Sequence, residues 1–171
     1  MRKIVIFLLA LPYILIGQNS NWNKGFGDDY AFVKNVGQYD GRNWQDANKV
    51  EFAVQQGGWH TFFSKKGITY RIDKLDRHPN RNKGDHHIPK RIHMSELVDV
   101  VFIGANSNVK IIAEDETDYF YSYAIKDPVT KSVINKNNVG GYRKITYKNL
   151  YNKIDVEYTI HPQGGIKYNI I

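Results

Sequence analysis

Alternation between apolar and polar residues, running through most of the chain after Phe32, constrains the fold more than any other feature of this sequence. In Ile154-Asp-Val-Glu-Tyr-Thr-Ile160, the residues Ile154, Val156, Tyr158 and Ile160 share one side, and Asp155, Glu157 and Thr159 share the other. A period of two belongs to a β-strand, whose successive side chains point to opposite faces. His161-Pro-Gln-Gly-Gly165 is a turn sequence, after which Ile166, Tyr168 and Ile170 resume the pattern. The two runs predict an antiparallel hairpin with one dry and one wet face, with Lys167 and Asn169 among the acids on the wet one.

Further strands follow from the same pattern. Val50 to Val54 is one, and Trp59 to Phe63 and Ile68 to Ile72 flank the short turn Ser64-Lys-Lys-Gly67. Leu97-Val-Asp-Val-Val-Phe-Ile103 is more continuously apolar and is expected to be a central strand buried on both sides. Gly104 to Asn108 turns the chain into Val109 to Ala113, and the aromatic-rich runs Tyr119 to Ile125 and Tyr142 to Tyr147 favour strand by propensity. No window carries an amphipathic helix beyond one turn around Lys148 to Tyr151. Eight to ten short strands between regular turns predict an all-β chain, an antiparallel β-sandwich-like domain.

The first residues have a different design. Arg2 and Lys3 precede an apolar run from Ile4 to Ile16, and Gly17 offers a small residue before the polar stretch that begins at Gln18. That is the layout of a cleavable signal peptide. A spanning helix needs about 20 apolar residues, and this run is shorter and carries Pro12. The expected organisation is a signal peptide over 1–17, a polar lead-in over 18–31 and a single β-rich domain over 32–171, with no integral membrane segment in the mature chain. Because Ile171 lies in or just after an apolar strand, that domain is expected to be incomplete at its C-terminus.

Cysteine is absent, which excludes disulfide staples, lipid attachment through cysteine, thiol catalysis and cysteine-based zinc sites. Removing Arg2 and Lys3 leaves 22 Lys+Arg against 17 Asp+Glu. Most of that excess falls between Arg71 and Arg91, where seven basic residues accompany three acids without apolar periodicity. The stretch reads as a solvated loop. It lacks the interleaved aromatics of a nucleic-acid groove, so no nucleic-acid partner is expected.

The blocks just described also resemble a known family. Phe32-Val-Lys-Asn-Val-Gly-Gln38 is similar to the opening F-V-x-N-x-G-Q motif of an N-terminal module in large secreted proteins of gliding-type bacteria. Gly67-Ile-Thr-Tyr70, Val101 to Asn106, Tyr142 to Tyr151, Ile154 to Tyr158 and Gly164 to Tyr168 continue the likeness in order, across nearly the whole mature chain. The resemblance implies an all-β module of unknown function at the start of surface or secreted proteins. Downstream, such proteins carry β-propeller-like or immunoglobulin-like repeats and a type IX sorting domain. The basic, His-rich stretch from Lys74 to His93 departs from that pattern.

Three sets of side chains are candidates for chemistry. Asp85, His86, His87 and His93, with His78 nearby, offer metal ligands, but their spacing matches no established site. Asp155 and Glu157 project from one strand face ~7 Å apart, a separation open to a carboxylate pair, although alternating acids are ordinary on a wet face. Trp59, Tyr119, Tyr121 and Tyr123, with Trp44, are candidates for a sugar-stacking platform, and the three tyrosines share one strand face. Core packing of the same rings is the plainer alternative. The expectation is a non-catalytic exported structural or interaction module without a cofactor, whose partners are other extracellular domains or surface glycans. A carbohydrate-binding module and a hydrolase fragment are the alternatives.

Overall fold

A computed structural model describes residues 30–40, 49–75, 92–127, 129–161 and 165–171. Among these, the secondary structure is strand without helix. The strands are β1 (Phe32–Lys34), β2 (Val50–Gln56), β3 (Trp59–Ser64), β4 (Gly67–Leu75), β5 (Ile92–Val101), β6 (Lys110–Lys126), β7 (Val133–Tyr151), β8 (Ile154–Ile160) and β9 (Ile166–Ile170). All pairings are antiparallel. The leader-like residues and the lead-in up to Asp29, Trp44, and the stretch from Asp76 to Arg91 lie outside the described residues.

Rather than the two stacked sheets of a sandwich, the strands form one continuous sheet in the order β5-β4-β3-β2-β1-β7-β8-β9, with β6 on the other edge of β7. The sheet curls into a half-barrel. Its branching at β7 explains the curl. One edge of that 19-residue strand pairs with β6, while the opposite edge takes β1 at Gly141 and Tyr142 and then β8 from Lys144 to Tyr151. Two limbs therefore leave the same edge, and their apolar faces meet. Phe63 of β3 touches Tyr158 of β8 at 5.3 Å between ring centroids, although β2, β1 and β7 separate those strands in the sheet order.

The core lies between the limbs. Phe32, Phe52, Val54, Phe63, Ile68, Ile145, Tyr147, Leu150, Val156 and Tyr158 are buried in one cluster. Edge-to-face contacts knit the rings together: Phe32 on Phe63 at 5.3 Å, Tyr147 on Tyr158 at 5.7 Å and Phe102 on Tyr147 at 5.3 Å. The Tyr147 hydroxyl donates to the Ser64 carbonyl at 2.9 Å, joining the limbs with a buried hydrogen bond.

The β8–β9 hairpin forms in the expected register, with Val156 and Tyr158 buried and Asn169 and Lys167 opposite Glu157 and Thr159. The expected dry face is only partly covered: Ile154, Tyr168 and Ile170 are exposed, because no described strand pairs with the outer edge of β9. Ser64 to Gly67 makes the β3–β4 turn. Two expectations are corrected. Leu97 to Val101 belongs to β5, which is an edge strand and not a central one. Leu97, Val98, Val100 and Val101 are each between 44% and 62% exposed, because β4 pairs with one edge of β5 and no described strand pairs with the other. The turn around Lys148 to Tyr151 is the continuation of β7, held in strand by pairing with β6 and β8. Likewise, the runs near Ile111 and Tyr121 fuse into the single 17-residue β6.

The loop after β1 shows what the Asn-x-Gly-Gln block does. The Asn35 side-chain oxygen accepts from the Gly37 and Tyr39 amides at 2.9 and 3.3 Å, and its amide nitrogen donates to the Val50 carbonyl and to Asp40. Gly37 has φ +115°, a conformation that penalises any Cβ. Gln38 accepts from the Val36 amide and donates to the Lys34 carbonyl. The result places Tyr39, buried, against Phe62, Val50 and Ala53 on the outer face of the sheet.

Candidate functional site

Outward from that loop, an aromatic row crosses the outer face of the sheet. Alternation along β6 puts Tyr119, Tyr121 and Tyr123 on one side, each half-buried. Tyr119 meets Tyr121 edge-on at 5.7 Å, and Tyr121 stacks with Tyr123 at 6.5 Å with their planes 16° apart. Gly141 makes room for them: a Cβ there would sit 2.9 Å from the Tyr121 ring and from the Ala31 methyl. Burial pushes the Tyr123 phenol up, while hydrogen bonds with Tyr39 and Gln38 act in the opposite direction. Tyr39 then packs edge-on against Phe62 at 5.6 Å, and Phe62 stacks with His60 at 6.3 Å.

At its far end the row reaches an ion cluster. Arg71 holds Asp73 through two hydrogen bonds of 2.7 and 2.9 Å, Ser95 donates to the same carboxylate at 2.6 Å, and His60 Nε2 lies 3.1 Å from it. The Asp73 side chain is only 5% exposed. Desolvation, the largest single influence, raises its pKa. The bonds from Arg71 and Ser95 and the charges of Arg71 and His60 together outweigh it, so the carboxyl ends below its ordinary value. Arg71, Asp73 and Lys74 are thus part of β4 and not of a solvated loop. The alternation of Ile68, Tyr70 and Ile72 gives the first part of β4 as expected, and pairing with β5 carries the strand on through the polar Asp73 and Lys74, where that period stops.

Trp59 stands apart from this row. It is the first residue of β3 and 59% exposed, and it alternates with Thr61 and Phe63 onto the inner face, whereas the tyrosines lie on the outer face. Asp85, His86 and His87 lie outside the described residues, and His93 is placed only as a backbone position in β5. Among the described residues no three His, Asp or Glu side chains gather as a metal-holding group.

Asp155 and Glu157 do share the wet face, but both are engaged. Asp155 accepts from the Asn149 amide at 2.6 Å and from Lys148 at 2.8 Å, which hold its pKa down. Glu157 accepts from Asn169 at 3.3 Å and faces Lys144 at 3.6 Å. A glycosidase acid needs a carboxyl kept protonated, and the Asn149 amide and Lys148 act against that at Asp155.

Tyr39, Phe62 and His60 were not singled out by the sequence as partners of the β6 tyrosines. Tyr39 had a local signal, its place directly after Gly37-Gln38, but nothing local announces that β3 and β6 lie on one surface. Among the described residues no helix is long and apolar enough to cross a membrane.

Comparison with known proteins gives one family. Residues 32–171 match the model of a domain of unknown function, DUF7948. No curated protein and no solved structure matches the chain.

Proposed function

The chain belongs to the DUF7948 family, and because membership brings no activity with it, we propose from the geometry that it is a non-catalytic interaction module. One observation carries this reading: the two ends of the curled sheet expose apolar side chains in strand register. On β5 these are Met94, Leu97, Val98, Val100 and Val101, and on β9 they are Tyr168 and Ile170, with Ile171 following. Contiguous exposed apolar surface of this kind marks a contact site. Asp73, Asp155 and Glu157, in contrast, are committed to internal bonds.

The leader-like segment from Met1 to Gln18 and the six blocks similar to modules of gliding-type bacteria support an export route. They favour the N-terminal domain of an adhesin-like or gliding-associated protein, at the cell surface or secreted by a type IX route. A photo-reactive residue in place of Val98 or Ile170, tested in cells, is expected to give protein adducts. The same residue in place of Glu157, on the wet face, is expected to give none. Absence of adducts at both edges ends the reading.

The aromatic row favours a second reading, a surface that stacks on sugar rings. On a glycan array, binding by the full chain should fall at least about tenfold with Tyr121→Ala and stay unchanged with Trp59→Ala, since a base–aromatic or sugar–aromatic stack is worth roughly 1–3 kcal/mol. No bound glycan, or binding indifferent to Tyr121→Ala, removes this reading.

A further inference from the structure

Three strands, β5, β6 and β9, leave one edge unpaired among the described residues. An open edge offers a ladder of backbone donors and acceptors to any other strand, and proteins ordinarily blunt such edges with charge, bulges or irregularity. β6 is blunted in this way. Glu114, Asp115, Glu116 and Asp118 crowd its middle, Asp115 has φ +59°, and its pairing shifts register between Glu116 and Phe120 and again between Tyr121 and Tyr123. β5 and β9 keep an unbroken register and no left-handed residue from Met94 to Val101 and from Ile166 to Ile170, and the charges there are sparse: Glu96 and Asp99 on one, Lys167 on the other.

The two unblunted edges complement each other. Directions alternate along the path from β5 to β9, so a second copy continuing the sheet would set its β9 antiparallel to β5 with inner faces on the same side. With Tyr168 opposite Val98, both on the inner face, Ile166 falls opposite Val100. On the outer face Lys167 falls opposite Asp99. Both charged residues are exposed, and Asp99 is already oriented by a 2.6 Å bond from Thr69. Pairing β5 with β5 would leave Asp99 without a facing cation, and pairing β9 with β9 would leave Lys167 without an anion, while Glu96 is held by its own chain's Lys74 at 2.8 Å in any pairing. Charge therefore selects the unlike pair.

We propose that copies of this chain associate head to tail, the β9 edge of one adding to the β5 edge of the next in the register Val98 to Tyr168 and Asp99 to Lys167. This identifies the occupant of the apolar edges and rests on the interaction-module reading above. Such a contact is heterologous, so it repeats into a ring or a filament and does not close as a two-fold dimer.

The test is sedimentation velocity of the purified full chain across a concentration series, with circular dichroism to establish that each variant is folded. The wild type should form species larger than dimer as concentration rises. Asp99→Lys alone and Lys167→Asp alone should each weaken association at least about fivefold, because each sets like charges opposite one another. The double variant Asp99→Lys/Lys167→Asp should return to within about twofold of wild type. A monomer at every concentration, single variants that associate like wild type, or a double variant that stays weak would each overturn the proposal. A monomeric wild type that still gives cellular adducts at Val98 would overturn only the homotypic contact and leave the interaction-module reading in place. Adducts missing at both edges would remove that reading itself.

Discussion

Replacing Tyr147 with alanine should cost about 3–5 kcal/mol of unfolding free energy, enough to unfold a marginal domain of this size. Tyr147 is fully buried where the limbs meet, in ring contact with Phe102 and Tyr158. Alanine would open a cavity on both sides of the seam, which the curled sheet cannot close without breaking its β7 pairings. Tyr147→Phe separates packing from bonding. It keeps the ring but leaves the Ser64 carbonyl without its donor, and should cost about 1–2 kcal/mol. Burial, first of all, pushes the Tyr147 phenol well above its ordinary pKa, so the donor keeps its proton throughout the neutral range. Urea unfolding of the two variants beside wild type checks the prediction. Equal losses would mean that the hydroxyl, and not the ring, joins the limbs.

Asp73→Ala should cost roughly 2–3 kcal/mol at neutral pH, the range for a lost set of hydrogen bonds to a charged group. It strands Arg71 and His60, whose side chains are only 14% and 18% exposed, without their shared carboxylate. The pH dependence has a defined sign. The folded-state pKa of Asp73 is depressed, so its contribution is present above the unfolded carboxyl value, near ~4, and is lost as pH falls through the folded one. Asp127 and Asp155 are also depressed and push acid stability the same way, so Asp73→Asn is the isolating comparison. The stability gap between wild type and Asp73→Asn should narrow as pH is lowered from 7 through the depressed folded pKa. A gap constant with pH would show that the ionised carboxylate contributes nothing.

Local features of this fold are written locally. The β8–β9 hairpin and its wet-face pairing of Glu157 with Asn169 follow from alternation on either side of one turn, and the β3–β4 turn at Ser64 to Gly67 from a glycine between two apolar runs. Whether an apolar strand is central or at an edge is a different kind of fact. Leu97 to Val101 has the same composition in either place, and only the pairing partners, set by distant segments, decide it. The length of β7 was equally hidden. Asn135 to Asn138 and Gly140-Gly141 look like turn sequence, yet the strand passes through them because Tyr121 needs the bare backbone of Gly141 to lie on. The aromatic row joins residues from β3, the loop after β1 and β6, which no single window contains. The half-barrel depends on two strands sharing one edge of β7, a property of topology and not of any residue.

The loop at Asn35 bears on how likeness within this family is to be understood. Its asparagine, glycine and glutamine are spent on the backbone of their own turn and on fastening it to β2, and none of them offers a free group to solvent chemistry in that role. Two chains that share this block therefore share a construction joint. Their agreement there measures common architecture, while whatever distinguishes their partners has to be sought along the rims of the sheet and on its outer aromatic face.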